Sequence, residues 1–338
     1  MKVGGTETML VDIANTQSRL GHKVTILIVN DIVCQELLDK IDPSVEVIRM
    51  NRKEGDKPLL MMLRLNAMIM RMRPDIIHAH HHKFCRLVQV RKKRLLFTVH
   101  TVNTPMVYSA HSRMVAITDT VREDITGRVP DARVRTIFNG IRTADIACRG
   151  KRPLGERLRL VQVANILPHI KGQDIAIEAL GILKSRGIEN VEFDFIGAGD
   201  TSALMSRAEE LGVAERVHFL GLRDRDYIYS HLCDYDAMCH PSRYEGFGLT
   251  VAEGMAAGLP LILTHGDGPW EIADKGALCI SMQNGDAASC ADAIATLMHN
   301  YDAALATAEK ARSAVRQYDI SRTVDQYIDY YREMVGDK

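Results

Sequence analysis

Glu245 and Glu253, eight residues apart in the stretch His240 to Gly258 (HPSRYEGFGLTVAEGMAAG), are the side chains whose types and spacing most invite chemistry. Between them, Gly246 and Gly248 flank Phe247, and the apolar run from Leu249 reads as a helix start. A helix N-terminus carries unpaired N–H groups and partial positive charge, and glycine lets backbone close on a ligand. A diphosphate can therefore lie against Phe247 to Thr250. Glu245 then sits in the loop and Glu253 about one turn into the helix, placed to reach two parts of one bound molecule. A simpler reading competes: Thr250-Val251-Ala252-Glu253 also spells a capping box, and Glu245 can be a solvated loop carboxylate.

Other residues join this pair as candidates. Lys171-Gly172 follows the apolar run Leu160 to Ala164, so the lysine can stand at the carboxyl end of a strand, where it would offset negative charge on a leaving group; a loop lysine is otherwise merely solvated. Gly4-Gly5-Thr6-Glu7 at a helix start can cradle phosphate through backbone N–H groups, or be a glycine turn with Thr6 as a cap. His100 closes the run Phe97-Thr98-Val99, at a strand end where ligands gather in doubly wound folds, although a lone strand-end histidine is commonly structural. The cluster His78, His80, His81 and His82 suggests metal, but strand alternation sends His78 and His80 to one side and His81 to the other, so one ion cannot easily take three. Asp224-Arg225-Asp226 and Asp234-Tyr235-Asp236 look like metal-binding carboxylate pairs and read instead as a helix cap and a turn ahead of a strand.

These residues need a scaffold, and the apolar pattern supplies one. Strand-like runs alternate with helices: Val24 to Val29, Val45 to Met50, a Met-rich helix from Pro58, Ile76 to Ala79, Leu95 to Val99, Met114 to Thr118, Thr120 to Thr126 and Val134 to Phe138. After a polar stretch, Arg142 to Arg159, expected as a linker, the alternation restarts at Leu160 and runs through Val191 to Ile196, Val217 to Leu220, Ala237 to Cys239, Leu261 to Thr264 and Leu278 to Ile280. Three helices follow, Ala287 to His299, Asp302 to Gln317 and Ser321 to Met334. The expected fold class is α/β: two doubly wound domains facing a cleft, with parallel sheets covered on both faces. Expected domains are 1–148, 149–318 and a final helix, 319–338, crossing back to the first. The glycine turn at Gly4 follows only Met1-Lys2-Val3, so a first strand, roughly six to ten residues, is expected upstream.

Composition narrows the partners. At 338 residues, 46% hydrophobic and 25% charged, the chain is long enough for two cores and resembles neither a disordered nor a fibrous protein. Seven cysteines scattered without CxxC pairs fit free thiols in the cytoplasm. No apolar run reaches the ~20 residues of a membrane span; Leu59 to Met72 comes nearest and is interrupted by Arg64 and Arg71. That segment reads as a sheet-packing helix, with a membrane- or acceptor-facing role as its alternative. Zero net charge hides an asymmetry: residues 1–148 hold 23 Lys and Arg against 15 Asp and Glu, which suits an anionic partner, and Arg91-Lys92-Lys93-Arg94 is a candidate contact with an anionic membrane. With 5% aromatics and no recognition motif, nothing supports sequence-specific nucleic-acid binding.

Taken in order, the motifs resemble those of GT-B fold glycosyltransferases of family 4 (glycosyl transferases group 1). Glu245 and Glu253 match the family's E-x7-E spacing; Gly4-Gly5-Thr6-Glu7 its GG-x-E loop; Pro74 to His80 its PDVVHAH strand; Phe97 to Thr101 its T-x-H strand; Val163 to Asp174 its GRL...KG element; and Phe195 to Asp200 its IGxGP turn. The resemblance implies a retaining transferase that needs no metal or other cofactor and moves a sugar from a nucleoside-diphosphate donor to a glycan or lipid-linked acceptor, as in cell-surface polysaccharide synthesis. It implies that Glu245 and His100 serve the reacting sugar. The donor would be held by Gly5, Asn165, Lys171, Gly246, Phe247, Gly248 and Leu249, with Glu253 on the ribose. Asn165 stands where the family has arginine, which removes a charge; Arg243 is the expected substitute. A non-catalytic sugar-nucleotide-binding protein, or a phosphorylase or epimerase of the same fold, is the alternative. The expected location is cytoplasmic, peripheral at the inner face of the membrane.

Overall fold

The computed structural model describes residues 4–53, 58–105, 113–266 and 268–336. The chain divides into two compact units, residues 1–141 with 318–338, and residues 142–317.

The first unit runs α1 (Gly5–Arg19), β1 (Thr25–Asn30), α2 (Gln35–Leu38), β2 (Glu46–Arg52), α3 (Pro58–Met72), β3 (Ile77–Ala79), α4 (His82–Leu87), β4 (Leu95–Val99), β5 (Arg113–Ala116), α5 (Asp119–Arg128) and β6 (Arg133–Thr136). Its strands form two parallel sheets, β1-β2 and β3-β4-β5-β6, where the sequence suggested one. Both sheets lie under α3: Leu27 and Met50 from the first and Ile77 and Leu95 from the second meet Leu65, Met68 and Ile69. Thr118 caps α5 through the Val121 N–H, which closes the β5 turn.

The second unit runs β7 (Leu158–Val163), α6 (Pro168–Lys171), α7 (Gln173–Ser185), β8 (Val191–Ile196), α8 (Ser202–Glu210), β9 (Val217–Gly221), α9 (Arg225–His231), β10 (Ala237–His240), α10 (Leu249–Ala257), β11 (Leu261–Thr264), α11 (Gly268–Ile272), β12 (Ile280–Met282), α12 (Ala287–His299) and α13 (Tyr301–Ala314). All six strands are parallel, in the order β9-β8-β7-β10-β11-β12. Buried Phe193, Phe195, Leu160 and Cys239 form its core with Ile177 and Leu180 of α7 and Ile294 of α12. Near-continuous apolar strands of this kind are what a parallel sheet covered on both faces requires.

The stretch expected as a linker is docked on this unit. The Ala147 N–H donates to the Tyr229 carbonyl at 2.9 Å and the Arg149 N–H to that of Ala257 at 2.9 Å. The Arg149 guanidinium, fully buried, pairs with Asp236 at 2.8 Å and donates to the Tyr235 carbonyl at 2.8 Å. Polar composition suggested a loose connection; the arginine is polar because it neutralises a buried aspartate.

After α13 the chain returns to the first unit as α14 (Ile320–Gly336). Tyr327 and Tyr331 of α14 bond Thr98 Oγ1 at 3.0 Å and His78 Nδ1 at 2.6 Å, and the Arg94 guanidinium donates to the Met334 carbonyl at 3.1 Å.

Candidate functional site

In the second unit the chain leaves β7 toward one side of the sheet and β10 toward the other, because these neighbours are where the strand order reverses. The crevice outside their carboxyl ends is the topological switch point at which doubly wound sheets take ligands. Lys171 follows β7 and Glu245 follows β10, and their side chains form an ion pair there, Nζ to Oε2. Two residues distant in sequence are thus brought onto one spot by sheet order alone.

Both loops are fixed. Gly172 has φ +70°, and a Cβ there would lie 2.0 Å from the Pro241 carbonyl oxygen, so the position needs a glycine for space and conformation alike. Gln162 donates to the Lys171 carbonyl at 2.7 Å. The Arg243 N–H donates to the Ile170 carbonyl at 2.7 Å, and its guanidinium grips both oxygens of Asp174 at 2.8 Å and the Pro168 carbonyl at 2.7 Å. Arg243 was the expected substitute for the cation missing at Asn165. It is instead committed to Asp174, whose carboxylate offers the planar bidentate partner a guanidinium prefers, and it acts as a rivet between the two loops.

The pair is electrostatically distinct. Burial works against the Glu245 carboxylate, but the adjacent His240 ring and the charge of Lys171 outweigh it and hold the carboxyl at about 2. Glu245 is therefore an anion throughout the neutral range. His240 ends β10, 2% exposed, its Nε2 2.9 Å from Ser242 Oγ and 3.7 Å from Glu245 Oε2. Burial pushes its imidazole down, against the pull of Glu245. Its Nδ1 has no hydrogen-bond partner among the described residues.

Beyond Glu245 the loop runs through Gly246 and Phe247 to α10. Its N-cap is Gly248, φ +84°, so Thr250 lies inside the helix and the capping-box reading is overturned. Phe247 is buried at 2% exposure and anchors the helix start. Glu253 is buried on the same helix, 3.8 Å from the Arg225 guanidinium, which itself lies over the Tyr229 ring. Asn165 is exposed after β7, and its carbonyl accepts from Gln173 at 3.1 Å.

The remaining candidates lie in the first unit. Gly5 opens α1 and is exposed. His100 follows β4, its Nε2 3.2 Å from His80 Nδ1, and burial pushes it to about 4. The His78 ring lies tilted against that of His80, centroids 4.2 Å apart, and burial pushes His78 to about 3, while His81 stacks on His82 at 4.6 Å. Of these histidines β3 holds only His78; His81 caps α4, accepting from the Lys83 N–H, and His82 opens that helix. Asp224 caps α9 through the Tyr227 N–H at 2.8 Å, and Asp236 serves Arg149, so one carboxylate of each pair has a structural partner.

Sequence reasoning missed His240, Ser242 and Arg225 as site residues, and took His80 only as a metal candidate, not as the neighbour of His100. His240 carried a usable signal, since it ends a strand as His100 does. Arg225 carried none: its approach to Glu253 depends on how α9 and α10 pack.

The strand order β9-β8-β7-β10-β11-β12 defines a Rossmann-like architecture in the second unit, with a charged switch point. Two family models divide the chain: residues 3–145 match "Glycosyltransferase Family 4" and residues 149–314 match "Glycosyl transferases group 1". The chain belongs to this glycosyltransferase family, and its fold is GT-B. A solved glycosyltransferase from Rickettsia africae superposes with a TM-score of 0.84 at 18% identity, covering 100% of this chain and 97% of that one. HepE of Anabaena, solved with UDP and glucose, superposes with a TM-score of 0.80 at 20% identity, covering 98% and 97%. The phosphatidyl-myo-inositol mannosyltransferase of Mycobacterium leprae is 29% identical over 163 residues, 48% of this chain and 42% of that protein. The chain spans about half the length of the curated relatives it matches, 53% and 42% for two of them.

Proposed function

We propose that the protein is a retaining, metal-independent glycosyltransferase that moves a hexose from a nucleoside-diphosphate sugar to a lipid-linked or glycan acceptor, in the synthesis of a cell-surface polysaccharide. The observation that carries this reading is the meeting of Lys171 and Glu245 at the switch point beside the start of α10. UDP in HepE of the same fold supports a nucleotide donor, and the named acceptor class of the M. leprae relative supports a lipid.

With donor bound, the diphosphate lies against the N–H groups of Phe247, Gly248 and Leu249 and draws Lys171 away from Glu245. The ammonium then neutralises charge on the departing phosphate, and backbone dipoles share that task. Asn165 contributes a hydrogen bond in place of a charge, and Glu253 accepts the ribose hydroxyls. Glu245, released from its partner and still ionised, faces the sugar and steadies positive charge at the reacting carbon. His240 supports Glu245 from beneath. In the first unit Gly5 and His100 are the candidates that the family resemblance assigns to the donor phosphates and the reacting sugar. His100 is a neutral imidazole at neutral pH, able to donate or accept one hydrogen bond without adding charge.

Among the described residues no helix is long and apolar enough to cross a membrane. A basic first unit supports peripheral contact with the anionic inner face, and seven free cysteines support a cytoplasmic site. The test is turnover of UDP-, GDP- and ADP-sugars in EDTA. One donor is consumed, with the anomeric configuration of the product retained, and Glu245→Ala loses at least ~100-fold in rate. Donor consumption that stops in EDTA and returns with manganese overturns the metal-free mechanism; an inverted product overturns retention.

A further inference from the structure

Three histidines of the first unit, His78 in β3, His80 after it and His100 after β4, lie in one chain of contacts that starts on α14. Both ring nitrogens of His78 are occupied. Its Nδ1 lies 2.6 Å from the Tyr331 hydroxyl and its Nε2 2.7 Å from Thr98 Oγ1. The Gln17 amide donates to the Tyr331 oxygen at 3.4 Å, so that hydroxyl gives its own hydrogen to His78 Nδ1. The Nε2–H of His78 then goes to Thr98, which in turn meets the Tyr327 hydroxyl at 3.0 Å. His78 is thus fastened to α14, and the His80 ring lies against it, centroids 4.2 Å apart.

His80 Nδ1 stands 3.2 Å from His100 Nε2. The two ring centroids are 5.4 Å apart and the ring planes 27° from parallel. That separation is close to the longest that a 3.2 Å N···N contact allows, so the contact runs straight out of both rings, along the direction of an N–H bond, and not face over face. Burial keeps all three imidazoles uncharged at neutral pH. A neutral imidazole has one donor nitrogen and one acceptor, so a single proton lies between His80 and His100. If His100 Nε2 carries it, both rings are in the Nε2–H form, the more stable tautomer of a neutral histidine. If His80 Nδ1 carries it, both must take the less stable Nδ1–H form.

We propose that His80 is a positioning residue that holds the proton of His100 on Nε2 and leaves His100 Nδ1 as a hydrogen-bond acceptor for a hydroxyl of the donor sugar. The inference deepens the assignment of His100 to the reacting sugar and rests on it. An acceptor lone pair takes a hydroxyl hydrogen and repels a phosphate oxygen, so the tautomer decides that His100 reads the sugar and not the diphosphate. His78 in turn steadies the His80 ring through the contacts that tie it to α14.

Long-range proton–nitrogen correlation by NMR, on protein carrying nitrogen-15 histidine, reads the tautomer with no donor present; the His100 signals are those lost in His100→Gln. Wild-type His100 carries its proton on Nε2. His80→Phe takes away the acceptor, so the Nδ1–H form of His100 appears beside the other. Its kcat falls about 10-fold, the worth of one hydrogen bond, while its affinity for free nucleoside diphosphate is unchanged. His80→Asn, whose amide oxygen can stand in for Nδ1, restores the Nε2–H form and most of the rate. Wild-type His100 found as Nδ1–H overturns the proposal, whether or not His80→Phe folds. So does a tautomer that His80→Phe leaves unchanged, or a rate lost equally in His80→Phe and His80→Asn, as for a residue that only packs. The two readings fail separately: a wild type in the Nε2–H form that consumes no sugar nucleotide sinks the catalytic reading, and turnover by a protein whose His100 is Nδ1–H sinks the positioning role alone.

Discussion

Removing the charge of Glu245 changes how stability depends on pH. Its carboxyl stands at about 2 in the folded chain against an ordinary 4.5, because His240 and Lys171 outweigh its burial. A depressed folded value contributes stability that is present above 4.5 and lost as pH falls toward 2. At pH 3.5 the unfolded carboxyl is mostly protonated and the folded one mostly ionised, so linkage removes on the order of 1 kcal/mol relative to pH 7. Glu245→Gln has no such group to titrate. The single tryptophan, Trp270, lies in the same unit, so its fluorescence during urea unfolding reports the relevant transition. Between pH 7 and 3.5 the wild type should lose on the order of 1 kcal/mol more than Glu245→Gln. Parallel losses would show that the Lys171–Glu245 pair is not held as described.

Three further outcomes follow from particular contacts. Arg149→Met leaves Asp236 buried without its cation and should cost about 3–5 kcal/mol in the same urea assay, more than any exposed arginine. Gly172→Ala should abolish donor binding by calorimetry and lower the melting temperature, since its Cβ would stand 2.0 Å from a backbone oxygen at a left-handed φ. With His100 pushed to about 4, its titration lies below the working range. The rate should therefore stay flat from pH 6 to 8; a drop on the acidic side of that window, absent in His100→Gln, would contradict a neutral imidazole.

Much of the scaffold was legible because parallel strands are continuous apolar runs. Val191 to Ile196, Leu261 to Thr264 and Ala287 to His299 fall where their apolar content places them. The edge strand β12 was misplaced by two residues, from Leu278 to Ile280, since an edge is half solvated and lacks that signal. The Met-rich helix was read as sheet-packing, with a membrane- or acceptor-facing role as the alternative; one face packs and the other is exposed, which hydrophobicity alone does not separate. Glu245 and Lys171 were each visible as candidates. Their pairing was not, because it depends on β7 lying beside β10, a long-range choice that no local pattern encodes. The Arg243–Asp174 pair was hidden for the same reason, the two being distant along the chain.

Isothermal titration of UDP, GDP and ADP in EDTA, into wild type and Lys171→Ala, tests most directly whether the switch point holds a nucleotide pyrophosphate. One nucleotide should bind the wild type without divalent metal, and Lys171→Ala should weaken it by roughly 10- to 100-fold, the worth of a charge-assisted contact. Equal affinity in the two proteins, or no binding of any nucleotide, would contradict the account.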